Sequence, residues 1–186
     1  MKNLCYFSPF LLFFFSFLGC RGQLTIIDRK QSDYRIIIPA GPQPDEAKAA
    51  GELQKYMEKV SGVLLPVFSD EREPAGHEIV IGNSRRLERF KIKAGFKEAE
   101  SDGFVILTKE ERLFITGGSA QGTLNGVYTF LEDYLGCRFY SPGVIFIPDL
   151  DRVVIPEIKG LSLAPFHQFP QAPAVKAAFA NTSPKS

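Results

Sequence analysis

The side chains here with the most chemistry to offer are the carboxylates, two histidines and three cysteines. Paired general acid and base work on one bond takes two carboxylates held on either side of it. Glu132 and Asp133 are neighbours on a helical stretch and point to different faces, so they cannot flank one bond. Asp149 and Asp151 fall in a turn, Glu110 and Glu111 at a hairpin tip, and Asp102 in a turn just ahead of a strand. No pair stands out, and the sequence assigns no catalytic residue. His77 and His167 belong to no HExxH motif or Cys/His cluster, so neither a metal nor another cofactor is expected. Cys137 stands beside Arg138, which favours the thiolate, yet no histidine is near in sequence to act as base. A small buried cysteine is the expectation.

Gly117-Gly118-Ser119-Ala120-Gln121-Gly122 reads as a strand-to-helix turn whose free N–H groups could hold an anion. The Lys-Ser/Thr ending of a nucleotide loop and the spacing of the dinucleotide fingerprint are both missing. These glycines are therefore expected to be structural. Arg138, Phe139 and Tyr140 combine a guanidinium with two aromatic faces, which suits stacking on a sugar or packing against a neighbouring domain. The alternative is Phe139 in the core and Arg138 paired with an acid.

The elements that must carry these residues centre on Arg112 to Pro142, RLFITGGSAQGTLNGVYTFLEDYLGCRFYSP. Leu113 to Ile115 predict a strand. Leu124, Val127, Tyr128, Leu131 and Leu135 predict one helical face. Gly122 and Gly126 each cost about 1 kcal/mol in a helix relative to alanine, so they are expected to lie against a sheet. Gly136 supplies a left-handed stop, after which the chain runs extended.

Upstream, Thr25–Asp28 and Tyr34–Ile38 predict two strands of a hairpin. Asp45 is the expected N-cap of a helix with Ala47, Ala50, Leu53, Met57 and Val60 on its apolar stripe, closed by Ser61-Gly62. Leu64–Phe68 and Glu78–Gly82 predict strands, Arg85–Ile92 an exposed basic turn, and Gly103–Thr108 with Arg112–Thr116 a second hairpin. Val144–Ile147 and Val153–Ile155 predict two last strands. The sum is an α+β fold, one mixed sheet with two long helices packed on one face.

The run GGSAQGTLNGVYTFLEDYLGCRFYSP resembles the segment GG…GT.yGvYtFLE..LGcRWy.P of the N-terminal domain of α-glucuronidases and related glycosidase-like proteins of Bacteroidota. More distantly it is similar to the small α+β domain, domain 2, that precedes the barrel of β-N-acetylhexosaminidases. The resemblance covers residues 24–160. Phe139 stands where the family has Trp, keeping an aromatic ring but losing an indole donor. The resemblance implies a non-catalytic accessory domain of an α-glucuronidase-like glycoside hydrolase that degrades polysaccharide. Carbohydrate would be met through a catalytic barrel that carries the catalytic carboxylates, so none of those maps onto this sequence. Arg138–Tyr140 would face the barrel.

The 186 residues, with 22 basic against 21 acidic side chains, suit one globular domain and give no electrostatic footprint for nucleic acid. Residues 1–20 read as a secretory signal, with Phe17-Leu18-Gly19-Cys20 resembling a lipobox. Cys20 is then the lipidation site, anchoring an exported protein to the outer membrane or in the periplasm. An ordinary signal peptide with an incidental cysteine is the alternative. Cys5 leaves with the signal and Cys137 is left without a partner. Residues 161–186, rich in Ala and Pro, predict a disordered tail. A barrel needs roughly 200 residues, so the expectation is a fragment that lacks the catalytic domain. A free-standing carbohydrate-binding lipoprotein and a small enzyme in its own right are the rival expectations.

Overall fold

The computed structural model describes residues 22–92, 103–141 and 143–159. Cys5, Cys20, Asp102, His167 and the stretch 161–186 lie outside the described residues. The strands are β1 (Gln23–Ile27), β2 (Arg35–Ile38), β3 (Val67–Ser69), β4 (Glu78–Ile81), β5 (Phe104–Lys109), β6 (Arg112–Gly117), β7 (Arg138–Ser141), β8 (Val144–Phe146) and β9 (Val153–Pro156). The helices are α1 (Pro44–Ser61), α2 (Arg86–Arg89) and α3 (Ala120–Asp133).

A five-stranded sheet runs β3-β2-β4-β6-β5, parallel except for β5, which forms the expected hairpin with β6. Because side chains alternate across a strand, Ile36, Ile79, Ile81, Leu113 and Ile115 face one way and join Leu53, Met57, Val60, Leu124, Val127, Phe130 and Leu131 of the two long helices in the main core. Ile37, Val80 and Phe114 face the other way and meet Leu87 of α2 in a smaller core. The mixed sheet with both long helices on one face is thus the observed architecture. Strands apolar on both faces are what a largely parallel sheet covered on both sides requires.

The first expected hairpin does not form. β1 pairs antiparallel with β9, and both free edges of β2 are occupied by β3 and β4. Asp28 and Gln31 close a tight turn on each other, N–H to carbonyl at 3.0 Å in both directions, with Arg29 and Lys30 at φ +47° and +59°. The Ser32 hydroxyl then donates to the Ile26 carbonyl, and the strands part after that one bridge. The two last strands likewise separate: β8 pairs with β7, and β9 with β1. Beyond β9, Thr108 N–H donates to the Ile158 carbonyl (3.2 Å) and Ile158 N–H to Thr108 Oγ1 (2.8 Å), so the chain runs along the outer edge of β5.

Three local expectations are also corrected. The N-cap of α1 is Gln43, not Asp45, since Pro44 occupies the first turn and the Glu46 carboxylate accepts the Gln43 N–H at 2.9 Å. Ala47 is exposed, and Ala49, Tyr56 and Glu46 take its place on the buried stripe. The third strand begins at Val67, with Leu64 exposed before it. Gly62, at φ +75°, closes α1 as expected.

Candidate functional site

The glycine turn ahead of α3 turns several of its amides back into its own fold. Gly117 N–H donates to Thr123 Oγ1 (3.0 Å), Gly118 N–H to the Gly103 carbonyl (2.9 Å), and Gly122 N–H to the Ser119 side chain that caps the helix (3.0 Å). Thr123 N–H returns to the Ser119 carbonyl. These bonds take up Gly117, Gly118 and Gly122, three of the donors an anion would need. A Cβ on Gly117 would collide with the Thr123 amide, and one on Gly126 would lie 3.0 Å from Ile115 Cγ2 and 3.1 Å from Phe104 Cβ. Gly126 therefore lets α3 settle on β5 and β6, and Gly122 is buried beside it. Gly136, at φ +77°, turns the chain after α3, and Cys137 N–H donates back to the Leu131 carbonyl.

The weighed carboxylates are scattered. Glu111 lies 3.4 Å from His77 at one end of the sheet, Asp151 lies 3.6 Å from Lys30, and Glu132 and Asp133 sit at the end of α3. Cys137 is buried, and that burial pushes its thiol up, with Arg138 opposing only in part. The small buried cysteine expected from the sequence is what the structure shows, and desolvation outweighs the neighbouring Arg138 charge.

Arg138, Phe139 and Tyr140 form β7, which with β8 makes a two-stranded sheet outside the helix layer. Phe139 turns inward and meets the rings of Tyr56 on α1 and Tyr128 on α3 edge-on, at centroid distances of 5.1 and 5.3 Å. Edge-to-face pairs at this spacing are attractive. Arg138 is exposed; its Nη1 donates to the Glu132 and Cys137 carbonyls, both at 2.7 Å, and so caps the end of α3 instead of pairing with an acid side chain. Tyr140 stands 69% exposed at the register shift of β7, and across from it Val144, Ile145 and Phe146 are 56%, 39% and 55% exposed. Among the described residues only one other large apolar side chain, Leu64, is as open.

One charged cluster escaped the sequence reading. Glu78 is buried at the start of β4, and its Oε1 accepts from Arg35 Nη2 (2.7 Å) and from Ala75 N–H (3.0 Å), while Oε2 accepts from Arg86 Nε (3.3 Å) and lies 3.5 Å from Arg112 Nε. Other guanidinium donors of Arg35, Arg86 and Arg112 go to the carbonyls of Asp70, Arg72, Glu73 and Ala75, so the cluster fastens the 70–76 loop to the sheet, while Arg112 Nη1 donates to the Glu110 carbonyl. Burial pushes the Glu78 carboxyl up, but the Ala75 N–H and the Arg35 and Arg86 guanidinia outweigh it and hold it below the ordinary value. Arg86 and Leu87 are buried, which corrects the expectation of an exposed basic turn at Arg85–Ile92. The signal was present in sequence: Arg35, Glu78 and Arg112 each head an apolar strand.

The family model of the glycosyl hydrolase family 67 N-terminus matches residues 26–130, more than half of the chain. The chain belongs to this family. Among solved structures, this glycosyl hydrolase family 67 N-terminus domain is similar to a family GH115 4-O-methyl-α-glucuronidase with specificity for decorated arabinogalactans, at 13% identity over 66% of this chain and 16% of that one, TM-score 0.43. It is similar to the GH20 β-N-acetylhexosaminidase of Streptomyces coelicolor A3(2), at 15% identity over 74% of this chain and 24% of that one, TM-score 0.40. It is similar also to the Flavobacterium johnsoniae chitobiase, at 14% identity over 74% of this chain and 19% of that one, TM-score 0.41. The chain thus aligns with less than a quarter of each of these structures' own length. No curated protein matches it.

Proposed function

We propose that this chain is a non-catalytic accessory domain of an α-glucuronidase-like glycoside hydrolase acting in polysaccharide degradation. The observation that carries the reading is the family match over residues 26–130, which takes in the sheet through β6 and most of α3. The domain's contribution is to buttress a catalytic domain, with carbohydrate contacted through that domain. Export, with a lipid on Cys20 holding the protein to the outer membrane or in the periplasm, belongs to the same reading and rests on the lipobox-like Phe17–Cys20. The full chain, incubated with aryl glucuronides and glucuronoxylan oligomers, is expected to release no uronic acid. Turnover by the purified chain overturns the reading. Cys20→Ala is expected to move the protein from the membrane to the soluble fraction, and unchanged membrane association removes the lipid anchor.

A second reading, a free-standing carbohydrate-binding lipoprotein, is favoured by the exposed rings of Tyr140 and Phe146 beside the Arg138 guanidinium. Calorimetric titration with uronic-acid oligosaccharides separates the two. Saturable heat abolished by Tyr140→Ala establishes sugar binding by the domain itself, and no heat leaves the accessory role.

A further inference from the structure

A polar cleft of about 480 Å³ opens at the N-terminal end of β2 and β4, lined by residues of the turn between β1 and β2 and by His77. Small-molecule sites span about 300–1,000 Å³. The floor is the buried Tyr34, whose hydroxyl donates to the Glu111 carbonyl at 3.0 Å. The His77 ring leans on Tyr34 with centroids 5.1 Å apart, and its Nε2 lies 3.4 Å from Glu111 Oε2, so the imidazole is fixed with part of its surface open. The groups at the mouth are left over. Arg29 is exposed and meets the Asp28 carboxylate, Nε to Oδ2 at 3.5 Å, while the exposed Gln31 amide and Asp33 carboxylate have no side-chain partner among the described residues. Backbone strain gathers here too. Arg29 and Lys30, at φ +47° and +59°, form the turn beside the cleft, and Glu110 and Glu111, at φ +50° and +59°, the hairpin tip that braces Tyr34 and His77. Glycine or asparagine fills such turns with less strain. The chain thus keeps a guanidinium at the mouth at a cost in stability, as strained positions at ligand sites do.

We propose that this cleft binds an uncharged sugar unit of a polysaccharide chain, at a place separate from the β7–β8 hairpin. The lining chooses the ligand. Asp33 and Gln31 offer acceptors, and Gln31 and Arg29 offer donors. Neighbouring hydroxyls of a pyranose, each able to give and to take a hydrogen bond, satisfy such a mixed set at once. The open part of the imidazole is a flat ring against which the C–H face of the sugar can lie. A uronate or a phosphate is disfavoured, since Asp28 and Asp33 outnumber Arg29 and Asp33 is left uncompensated. A free amine would suit Asp33, but it brings no acceptor for the donors of Arg29 and Gln31. Thr25, Arg29, Gln31 and Asp33 are all exposed, so the cleft is open to solvent and a unit within a longer chain can enter it. The choice of polysaccharide as the source of the sugar rests on the accessory-domain reading above. The cleft adds to that reading a grip on the chain by this domain itself.

Isothermal titration calorimetry of the full chain with xylohexaose, cellohexaose and mannohexaose tests this. Saturable heat with one of these neutral oligosaccharides is expected. Asp33→Ala and Gln31→Ala should each weaken that binding about tenfold, the loss of one hydrogen bond to the sugar, and leave the melting temperature in place because both side chains are exposed. Arg29→Gly should weaken it about as much while raising the melting temperature, since glycine takes φ +47° without strain. A turn with a structural role alone would show the second effect without the first. Glu110→Gly, which relieves the other turn, should leave binding as it is. Absence of heat with all of the neutral oligosaccharides overturns the proposal, as does binding that survives Asp33→Ala and Gln31→Ala or is abolished by Tyr140→Ala. Tighter binding of lysine methyl ester than of any of the sugars assigns the cleft to an amine and overturns it too. Failure of the accessory reading has a different signature, turnover of a uronoside by the chain.

Discussion

Glu78 on β4 and Arg112 on β6 stand opposite each other across two parallel strands, with Oε2 and Nε 3.5 Å apart and the carboxylate fully buried. The same carboxylate also holds Arg35 and Arg86, so one negative charge faces three guanidinia. Removing it leaves three buried or half-buried cations facing one another and frees the 70–76 loop. Breaking a buried ion pair from one side costs about 3–5 kcal/mol, because the surviving charge is uncompensated. Glu78→Gln, which keeps the side chain's shape, is expected to lower unfolding free energy by an amount in that range. A urea midpoint within experimental error of the parent's would show that the cluster is not holding the fold.

Acid should act on the same group. A carboxyl whose folded pKa lies below its unfolded value, about 4.3 for Glu, stabilises the fold fully above that unfolded value. The unfolded chain takes up the proton first, so the contribution fades as pH falls through the folded value. Stability of the parent is therefore expected to drop as pH is lowered through about 4.3 and below. Glu78→Gln, which has no such group, should show a shallower drop in that window. Equal slopes for the two proteins would dismiss Glu78 as the source.

The glycines divide by what a methyl group would meet. At Gly51, on the exposed side of α1, a Cβ has nothing within 4 Å, so Gly51→Ala should gain the helix propensity difference of about 1 kcal/mol. At Gly126 the same propensity gain is opposed by contacts of 3.0–3.2 Å with Ile115 and Phe104, both buried and unable to retreat. Overpacking costs about 1–3 kcal/mol, so Gly126→Ala should be net destabilising. Gly117→Ala meets backbone at Thr123 and Gly122 and should be the most damaging of the three. Thermal melts that ranked them otherwise would contradict the packing of α3 on the sheet.

Part of that ranking is legible in the amino-acid sequence. Gly122 and Gly126 stand out because helical periodicity runs through them, and the apolar runs Ile36 to Ile38, Ile79 to Ile81 and Leu113 to Ile115 reveal strands covered on both faces. Partner choice is not legible there. β1 and β2 lie close in sequence with a polar turn between them, which reads as a hairpin, but the edges of β2 are taken by β3 and β4, and β1 finds β9 far along the chain. Nor does Arg85–Ile92 disclose its burial, since Arg86 is tolerated inside only because Glu78 awaits it there. Exposure of the β7–β8 hairpin is equally hidden, because Arg138, Phe139 and Tyr140 share an aromatic-basic character while one points inward and two outward.

Cys137 gives a chemical check on the core. Its thiol is fully buried and burial shifts its pKa upward, so the reactive thiolate is scarce and unreachable in the folded protein. A thiol-specific colorimetric reagent at pH 8 should leave it untouched in buffer and modify it promptly in urea, with a rate that tracks unfolding. The measurement is best made on the Cys5→Ala, Cys20→Ala double variant, which leaves Cys137 as the only cysteine. Prompt reaction in buffer would mean that the turn after α3 opens readily.

Neighbouring residues of β7 should respond in opposite ways. Phe139 fills the gap between Tyr56 and Tyr128, and its loss removes two edge-on ring contacts along with part of the main core. Truncation of a fully buried Phe costs about 3–5 kcal/mol, and Phe139 is half-buried, so Phe139→Ala is expected below that range, at about 2–3 kcal/mol. Phe139→Trp keeps an aromatic ring between Tyr56 and Tyr128 and should retain much of that contact. Arg138 lies outside, and its two carbonyl hydrogen bonds at the end of α3 contribute about 1 kcal/mol together, as surface caps do. Arg138→Ala should therefore leave the melting transition of the isolated chain nearly in place. If Arg138→Ala proved as damaging as Phe139→Ala, the guanidinium would be a structural clamp, and its part in the outer face of the hairpin would be lost.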